Sequence, residues 1–338
     1  MSDIININSK TKLYINKVSD VIDDVLPKSR IIAITDVNIC RLYPDLVHRF
    51  EHIVIGCGED IKNLHTVSMI YSRLMAMGAD RSTFLLGIGG GIVTDITGFV
   101  AATYMRGLDF GFISTSLLGQ VDASIGGKNG VNVADYKNMV GTFLHPSFVI
   151  SDVEMLKTLA PREFRAGMAE AIKSAIVGDR SLVDDIERAA TEKLSNDVEL
   201  LKHIVRSAVG VKSVIVSEDE NESGKRRLLN LGHTLGHAIE KCTHDLNHGE
   251  AVAIGMSMIS HASLKRGMML ESEVERIDAL LRKLGFVLTL PVPIANVLRE
   301  VRYDKKKSNN ILRVVMPESI GCCSVVEMSF DEFEGLFL

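Results

Sequence analysis

A chain of 338 residues, 46% hydrophobic and 24% charged, has the length for two domains and the composition of an ordinary globular enzyme. A net charge of −5, no Trp and only 5% aromatics exclude a general attraction to nucleic acid and leave little material for base stacking. No apolar run is long enough for a membrane span, and residues 1–8 lack the basic and apolar regions of a secretory leader.

The odd set Cys40, Cys57, Cys242, Cys322 and Cys323 has no metal-type spacing and reads as reduced thiols. The expectation is a cytoplasmic protein with neither a membrane nor a nucleic-acid partner.

In chain order, five short β-branched or aromatic runs read as strands: 30–35, 52–55, 83–87, 110–114 and 148–150. Between them, Ile61 to Met77 has helical periodicity and Ile92 to Tyr104 reads as a buried helix. This alternation predicts a mostly parallel sheet with helices on its faces. From Pro161 onward the strand signals almost vanish. Helical patterns follow at 162–177, 181–194, 197–217, 230–241, 249–267 and 271–285, and residues 312–316 and 323–326 predict a hairpin. The fold class expected is an α/β N-terminal domain over 1–159, followed by a mainly α-helical domain over 160–338. Leu159-Ala160-Pro161 marks the boundary, because proline disfavours helix before itself and suits a first turn after it.

The segment Gly87-Ile88-Gly89-Gly90-Gly91-Ile92-Val93-Thr94-Asp95 follows a predicted strand and opens a helix. Such a turn lets backbone N–H groups approach a pyrophosphate at the positive end of the helix. It is not the G-x-G-x-x-G fingerprint, since Ile92 stands where the third glycine would be, and a purely structural turn is the plain alternative. Asp36 and Asn38 follow the first strand, and Gly58-Glu59-Asp60-Ile61-Lys62 follows the second. Both suit ribose-side contacts at strand ends, where open α/β sheets bind ligands. The polar stretch 120–132, followed by Lys137-Asn138, reads as a long loop of the kind that carries function. Its Lys128, Lys137 and Asn138 suit a phosphorylated, carboxylated substrate. The basic runs Lys225-Arg226-Arg227 and Lys305-Lys306-Lys307 read first as charged faces, although the former lies just upstream of the most informative segment.

That segment runs from Asn230 to Glu240 and carries His233 and His237 four positions apart, one turn above each other on a helix. An isolated pair of this kind is often structural. Here the pair sits among small and apolar residues with no charge before Glu240, where buried imidazoles need partners. His248 opens the next apolar run and is preferred over His244, which falls in a polar loop. Upstream, Glu170 and Lys173 share a helical face. Three imidazole or carboxylate ligands with an open fourth position would hold a catalytic zinc.

Seven motifs occur in order: GGGIVTDITGFVAATYMRG, QVDASIGGKNGVN, KNMVGTF, LKTL, PREFRAGMAEAIK, LNLGHTLGHAIE and HGEAVAIGM. From Gly56 to Lys306 the chain resembles the 3-dehydroquinate synthase family. The resemblance implies conversion of 3-deoxy-D-arabino-heptulosonate 7-phosphate to 3-dehydroquinate and phosphate, in the shikimate pathway. The implied steps are transient oxidation by NAD, phosphate elimination, re-reduction and intramolecular aldol closure. It further implies one divalent metal (Zn or Co) held by Glu170, His233 and His248, with His237 as a catalytic neighbour. Substrate contacts would come from Asp122, Lys128, Lys137, Asn138, Lys173, Lys212, Arg226, Asn230, His237 and one of Lys305 or Lys306. NAD contacts would come from Asp36, Asn38, Glu59, Lys62, Gly91, Ile92, Val93, Thr94, Asp95, Thr115, Ser116, Lys128, Lys137, Met155, Leu156, Lys157 and Thr158. Arg106 matches a residue that the family donates across a homodimer interface. The rivals are another sugar phosphate cyclase, a metal-dependent NAD alcohol or polyol dehydrogenase, and a nucleotide-binding regulatory homologue without turnover. Lys128, Lys212 and Arg226 favour the keto-acid phosphate over a simple alcohol.

Overall fold

A computed structural model describes residues 4–134, 136–191, 194–220, 222, 224–243, 245–305 and 311–338, with the backbone alone at 304 and 305. The chain divides into two compact units, Met1–Ala160 with Val198–Val209, and Pro161–Asp197 with Gly210–Leu338.

The first unit is built on strands β1 (Ile4–Asn6), β2 (Lys12–Tyr14), β3 (Ile31–Asp36), β4 (Glu51–Ile55), β5 (Phe84–Gly89), β6 (Phe110–Ser114), β7 (Lys128–Val133), β8 (Tyr136–Phe143) and β9 (Phe148–Ser151). Its helices are α1 (Val18–Val25), α2 (Val37–Leu42), α3 (Pro44–Val47), α4 (Leu64–Ala76) and α5 (Gly91–Thr103). Seven strands form one sheet in the order β1-β2-β9-β6-β5-β3-β4, parallel except for the β1–β2 pair. Central strands β5, β6 and β9 are buried at every position, as the continuous apolar runs of a sheet covered on both faces require. Edge strand β4 mixes buried and exposed positions instead. On one face Val18, Val21, Ile22 and Ile39 pack over Ala33, Leu86, Ile88, Ile113 and Ile150 to form a core.

The five strands read from the sequence are β3, β4, β5, β6 and β9. Strands β1 and β2 carry no periodic signal because each has only three residues; β2 is fixed by its pairing with β9, Leu13 opposite Val149. After β3 the chain steps to β4 on one side and then to β5 on the other, so a topological switch point lies between β3 and β5. Ligands of open α/β sheets bind there, beyond the strands' C-terminal ends.

The stretch 120–132, expected to be a loop, is largely ordered. Gly119–Ala123 forms a wide helical turn, and β7 and β8 make an antiparallel hairpin. Polarity misled the sequence reading: Asn129 is buried with its amide donating to the carbonyls of Gly127 and Leu144, so a polar residue there belongs to a strand.

The second unit contains α6 (Pro161–Gly178), α7 (Arg180–Arg188), α8 (Val198–Glu218, whose first part is grouped with the other unit), α9 (His233–Cys242), α10 (His248–Lys265), α11 (Glu271–Lys283) and α12 (Ile294–Lys305). Strands β10 (Ile311–Ser319) and β11 (Cys322–Ser329) form the expected hairpin, and α13 (Phe330–Gly335) follows. The pattern at 181–194 overran: α7 stops at Arg188, because Ala189 turns to extended backbone at ψ 142°. The pattern at 230–241 began early, because Gly232 takes a left-handed φ of 76° and α9 starts only at His233. The start of α10 at His248 is fixed by a capping box between Asn247 and Glu250.

Close glycine contacts set the spacing of the three helices that carry the candidate metal ligands. A Cβ on Gly249 would stand 2.3 Å from Ala166 Cα on α6, and one on Gly255 would stand 2.1 Å from the Gly232 carbonyl oxygen ahead of α9. Backbone cannot yield at such distances without moving a helix. Gly255→Ala is expected to lower stability by about 1–3 kcal/mol. Urea unfolding should show a lower midpoint at unchanged slope.

Candidate nucleotide turn and metal centre

At the switch point, Gly90 caps α5 and the amides of its first turn point beyond the end of β5. Gly91 and Ile92 are partly accessible, whereas Val93 and Thr94 are buried. Thr115 donates its backbone N–H to the Gly89 carbonyl, and Ser116 Oγ accepts from Gly119 N–H, so the β6 end lies beside the glycine turn. Asp36 Oδ1 accepts from the backbone N–H groups of Asn38 and Ile39, capping α2. That carboxylate was expected to meet a ribose; here it first serves its own helix. Met155 and Leu156 are buried, with Met155 part of the sheet core, so their side chains are core groups. Lys157 and Thr158 beside them are exposed.

Lys62 is only 5% exposed and pairs with Asp95 on α5, while its Nζ donates to Asn138 Oδ1 at 2.6 Å. Asn132, which the sequence reading did not single out, fastens this group. It donates to Glu59 Oε1 at 2.8 Å, accepts from Asn138 N–H at 2.9 Å, and its own N–H reaches the Lys62 carbonyl at 2.8 Å. Only the pairing of β7 with β8 reveals that role. Asp122 is half-buried, and Lys128 and Lys137 are exposed.

The second unit brings Glu170, His233 and His248 together, with one donor atom from each within 4.8 Å of the others. Glu170 on α6 is wholly buried, and neither carboxylate oxygen makes a well-aligned hydrogen bond. Its Oε1 lies 3.6 Å from His233 Nε2 and 3.3 Å from His248 Nε2, and Oε2 pairs with Lys173. His233 Nδ1 stands 3.1 Å from the Leu231 carbonyl, which can only accept, so Nδ1 carries the proton and Nε2 faces Glu170 with its lone pair. A buried, under-satisfied carboxylate facing two imidazoles fits a divalent cation with N/O ligands.

Burial favours a neutral Glu170, but the Lys173 ammonium and the protonated His248 outweigh it and hold the carboxyl well below its usual range. Burial drives His233 down to about 3 against the pull of Glu170, so it is neutral. For His248 burial also opposes charge, but the Glu170 and Glu240 carboxylates prevail and raise it to about 10.

His237 is exposed, with its ring 5.2 Å from that of His233 and 6.0 Å from that of His248. Lys173 and Lys212 are buried. The basic run 225–227 reads first as a charged face, but Arg226, implied as a substrate contact, is 2% exposed: the turn Lys225–Asn230 folds inward, and its guanidinium donates to the Glu220 carbonyl at 2.5 Å. Asn230 donates to Glu222 at 2.6 Å. Arg106 is exposed at the end of the first unit's α5 region. The Lys305 side chain, Lys306 and His244 lie outside the described residues.

Two family models match the chain, 3-dehydroquinate synthase N-terminal over residues 52–166 and 3-dehydroquinate synthase C-terminal over 167–307. A 3-dehydroquinate synthase of Rippkaea orientalis is 41% identical over 307 residues, covering 86% of this chain and 84% of its own. Among solved structures, 2-epi-5-epi-valiolone synthase from Streptomyces hygroscopicus subsp. jinggangensis, with NAD+ and Zn2+ bound, is similar at TM-score 0.89 and 27% identity. It covers 100% of this chain and 98% of its own. A 2-deoxy-scyllo-inosose synthase complexed with carbaglucose-6-phosphate, NAD+ and Co2+ shares the fold at TM-score 0.87 and 23% identity, covering 99% of each chain.

In the metal-free protein His248 is protonated throughout the neutral range, because its pKa is near 10. A divalent ion must displace that proton, so apparent affinity should rise with pH, by up to about tenfold per unit from roughly pH 7 to 9, with about one proton released per ion. Calorimetry in buffers of different ionisation enthalpy measures the release. An affinity independent of pH, with no proton released, contradicts this arrangement.

Proposed function

The chain belongs to the 3-dehydroquinate synthase family, and from that premise we propose that its first unit binds NAD and its second a divalent zinc or cobalt ion for the synthesis of 3-dehydroquinate. The substrate is the seven-carbon keto-acid phosphate, and inorganic phosphate is the second product. The observation that carries this reading is the convergence of Glu170, His233 and His248 on one point of the helical unit.

When bound, NAD accepts and returns a hydride, and the ion draws electron density from a substrate hydroxyl so that its proton leaves readily. The chain's own residues bind, orient and move protons. Gly91 to Asp95 present the first-turn amides of α5 to a pyrophosphate, and Lys62, fixed by Asp95 and Asn138, is a positioned cation beside that turn. Asp36, Asn38, Glu59, Thr115, Ser116, Lys157 and Thr158 complete the proposed nucleotide contacts. Met155 and Leu156 contribute through backbone, since their side chains are buried.

In the second unit Glu170, His233 and His248 hold the ion, and Lys173 keeps Glu170 charged by pairing with its other oxygen. His237, exposed beside two of the ligand imidazoles, holds or moves a proton at its ring nitrogen. Arg226 and Lys212 are buried cations suited to carboxylate and phosphate oxygens, Arg226 through its planar fork. Asn230 orients substrate hydroxyls. In the first unit Asp122, Lys128, Lys137 and Asn138 keep the proposed substrate roles. No helix among the described residues is long and apolar enough to cross a membrane. All five cysteines are free, which suits the reducing cytoplasm proposed as the site of action.

We also propose that the working unit is a homodimer. β8 is exposed along nearly its whole length and shows Tyr136, Met139, Val140 and Phe143 at its surface. Arg106 sits on a turn where Met105 and Arg106 both take left-handed φ, 48° and 71°. Non-glycine residues in that region cost about 1–3 kcal/mol each and are retained where presentation of a side chain matters.

Phosphate release from the keto-acid phosphate, with metal and trace NAD, tests the activity. NADH should not accumulate beyond enzyme-equivalent amounts, and His237→Ala should lower kcat by about 100- to 10,000-fold. Stoichiometric NADH release with a simple alcohol would instead indicate a dehydrogenase.

For the dimer, Arg106→Ala mixed with Lys173→Ala should recover activity after verified subunit exchange. The site with intact Lys173 then borrows arginine from its partner, giving about one working site per mixed dimer. No recovery despite exchange would confine Arg106 to its own subunit.

A further inference from the structure

The two imidazole ligands of the proposed metal site are held at their far nitrogens by different means. His233 Nδ1 meets the backbone carbonyl of Leu231, two residues away, at 3.1 Å, so the turn that begins α9 fixes its ring. His248 is held by a side chain instead. It is the first residue of α10, its side chain is 32% exposed, and its Nδ1 meets Glu240 Oε2 at 3.2 Å. Glu240 lies on α9 at the third position of a face that also carries His233 and His237, spaced i, i+4 and i+7. Its side chain is only 6% exposed, although it belongs to the most solvated of residue types.

We infer that Glu240 is a positioning residue for the metal centre, setting the ring orientation and tautomer of His248. This rests on the ligand assignment given above. An ionised carboxylate can only accept, so the bond to Glu240 requires a proton on Nδ1. In the neutral imidazole this leaves the lone pair on Nε2, the atom 3.3 Å from Glu170 Oε1. The same bond increases the basicity of the ring and so strengthens it as a ligand. It also commits Glu240. His237, Glu240 and His248 offer donor atoms within 4.8 Å of one another, a competing cage for a cation beside the one formed with Glu170. With Nδ1 bonded to Glu240, His248 is directed to Glu170 and the competing cage is closed.

The test measures metal binding directly in the full-length protein, by competition with a chromophoric chelator for zinc and by the visible spectrum of the cobalt-loaded protein. Glu240→Ala should weaken zinc binding by about 10- to 100-fold and alter the cobalt bands, while the melting temperature of the metal-free protein and the affinity for NAD stay near wild type. Glu240→Gln should lose less, because the amide oxygen still accepts from Nδ1–H. Its near-identical shape keeps the test decisive if the alanine variant does not fold. Wild-type zinc affinity and an unchanged cobalt spectrum in Glu240→Ala would overturn the proposal. So would equal losses in both variants accompanied by a lowered melting temperature, which would mark Glu240 as structural. His233→Ala serves as the reference. If it abolishes zinc binding while Glu240→Ala does not, only the positioning role fails. If it binds zinc like wild type, the ligand assignment itself is wrong and the role of Glu240 falls with it.

Discussion

The Glu170 carboxylate is the constraint around which the helical unit is arranged. An ionised carboxyl with no exposure and no well-aligned hydrogen bond would cost several kcal/mol on its own. It is tolerable only because positive or polarisable groups arrive from three helices. Lys173 comes from its own helix, one turn on; His233 opens α9 and His248 opens α10. The arrival depends in turn on bare backbone. Where Gly249 meets α6 and Gly255 meets the Gly232 carbonyl, a methyl group would push helices apart and leave the carboxylate with fewer partners. Packing and electrostatics therefore make the same demand, and a site organised this way has little freedom to relax.

The sheet unit solves a comparable problem with different parts. Lys62 is nearly as buried as Glu170; the Asp95 carboxylate balances its charge and the Asn138 side-chain oxygen accepts from its Nζ. These residues come from a turn after β4, from α5 and from the β7–β8 hairpin. Asn132 binds Lys62 and Asn138, and Glu59 beside them, through its own amide and backbone. The result is a fixed cation beside the first turn of α5, at a switch point of the sheet where neighbouring connections diverge to opposite sides.

The likeness to 2-epi-5-epi-valiolone synthase, TM-score 0.89 at 27% identity, shows how little of the chain the architecture needs to specify. Apolar cores accept many substitutions that preserve volume and pattern. A buried carboxylate flanked by imidazoles, or a glycine under a neighbouring backbone, accepts very few. In this chain those intolerant positions lie within α6 (Glu170), at the starts of α9 and α10 (His233, His248 and Gly249) and at mid-α10 (Gly255), around the proposed metal site.

Whatever depends on local pattern was legible in the chain alone. Continuous apolar runs marked β3, β5, β6 and β9, because a strand buried on both faces has no polar alternation. The four-residue spacing of His233 and His237 placed both on one helix face, and the ordered motifs identified the family. Tertiary structure decided whatever depends on residues distant in sequence. Strands β1 and β2 are too short to carry periodicity and exist through pairing. Polar Asn129 became part of a strand because its amide finds carbonyls on either side. The charges around Arg226 suit a solvated face, and only the inward fold of its turn buries that side chain. Glu240 and Asn132 carried no signal of the groups they hold, since a carboxylate or an amide becomes a support only when another part of the chain brings it the group to be held. Local pattern fixes which face a residue shows; only long-range packing fixes what that face meets.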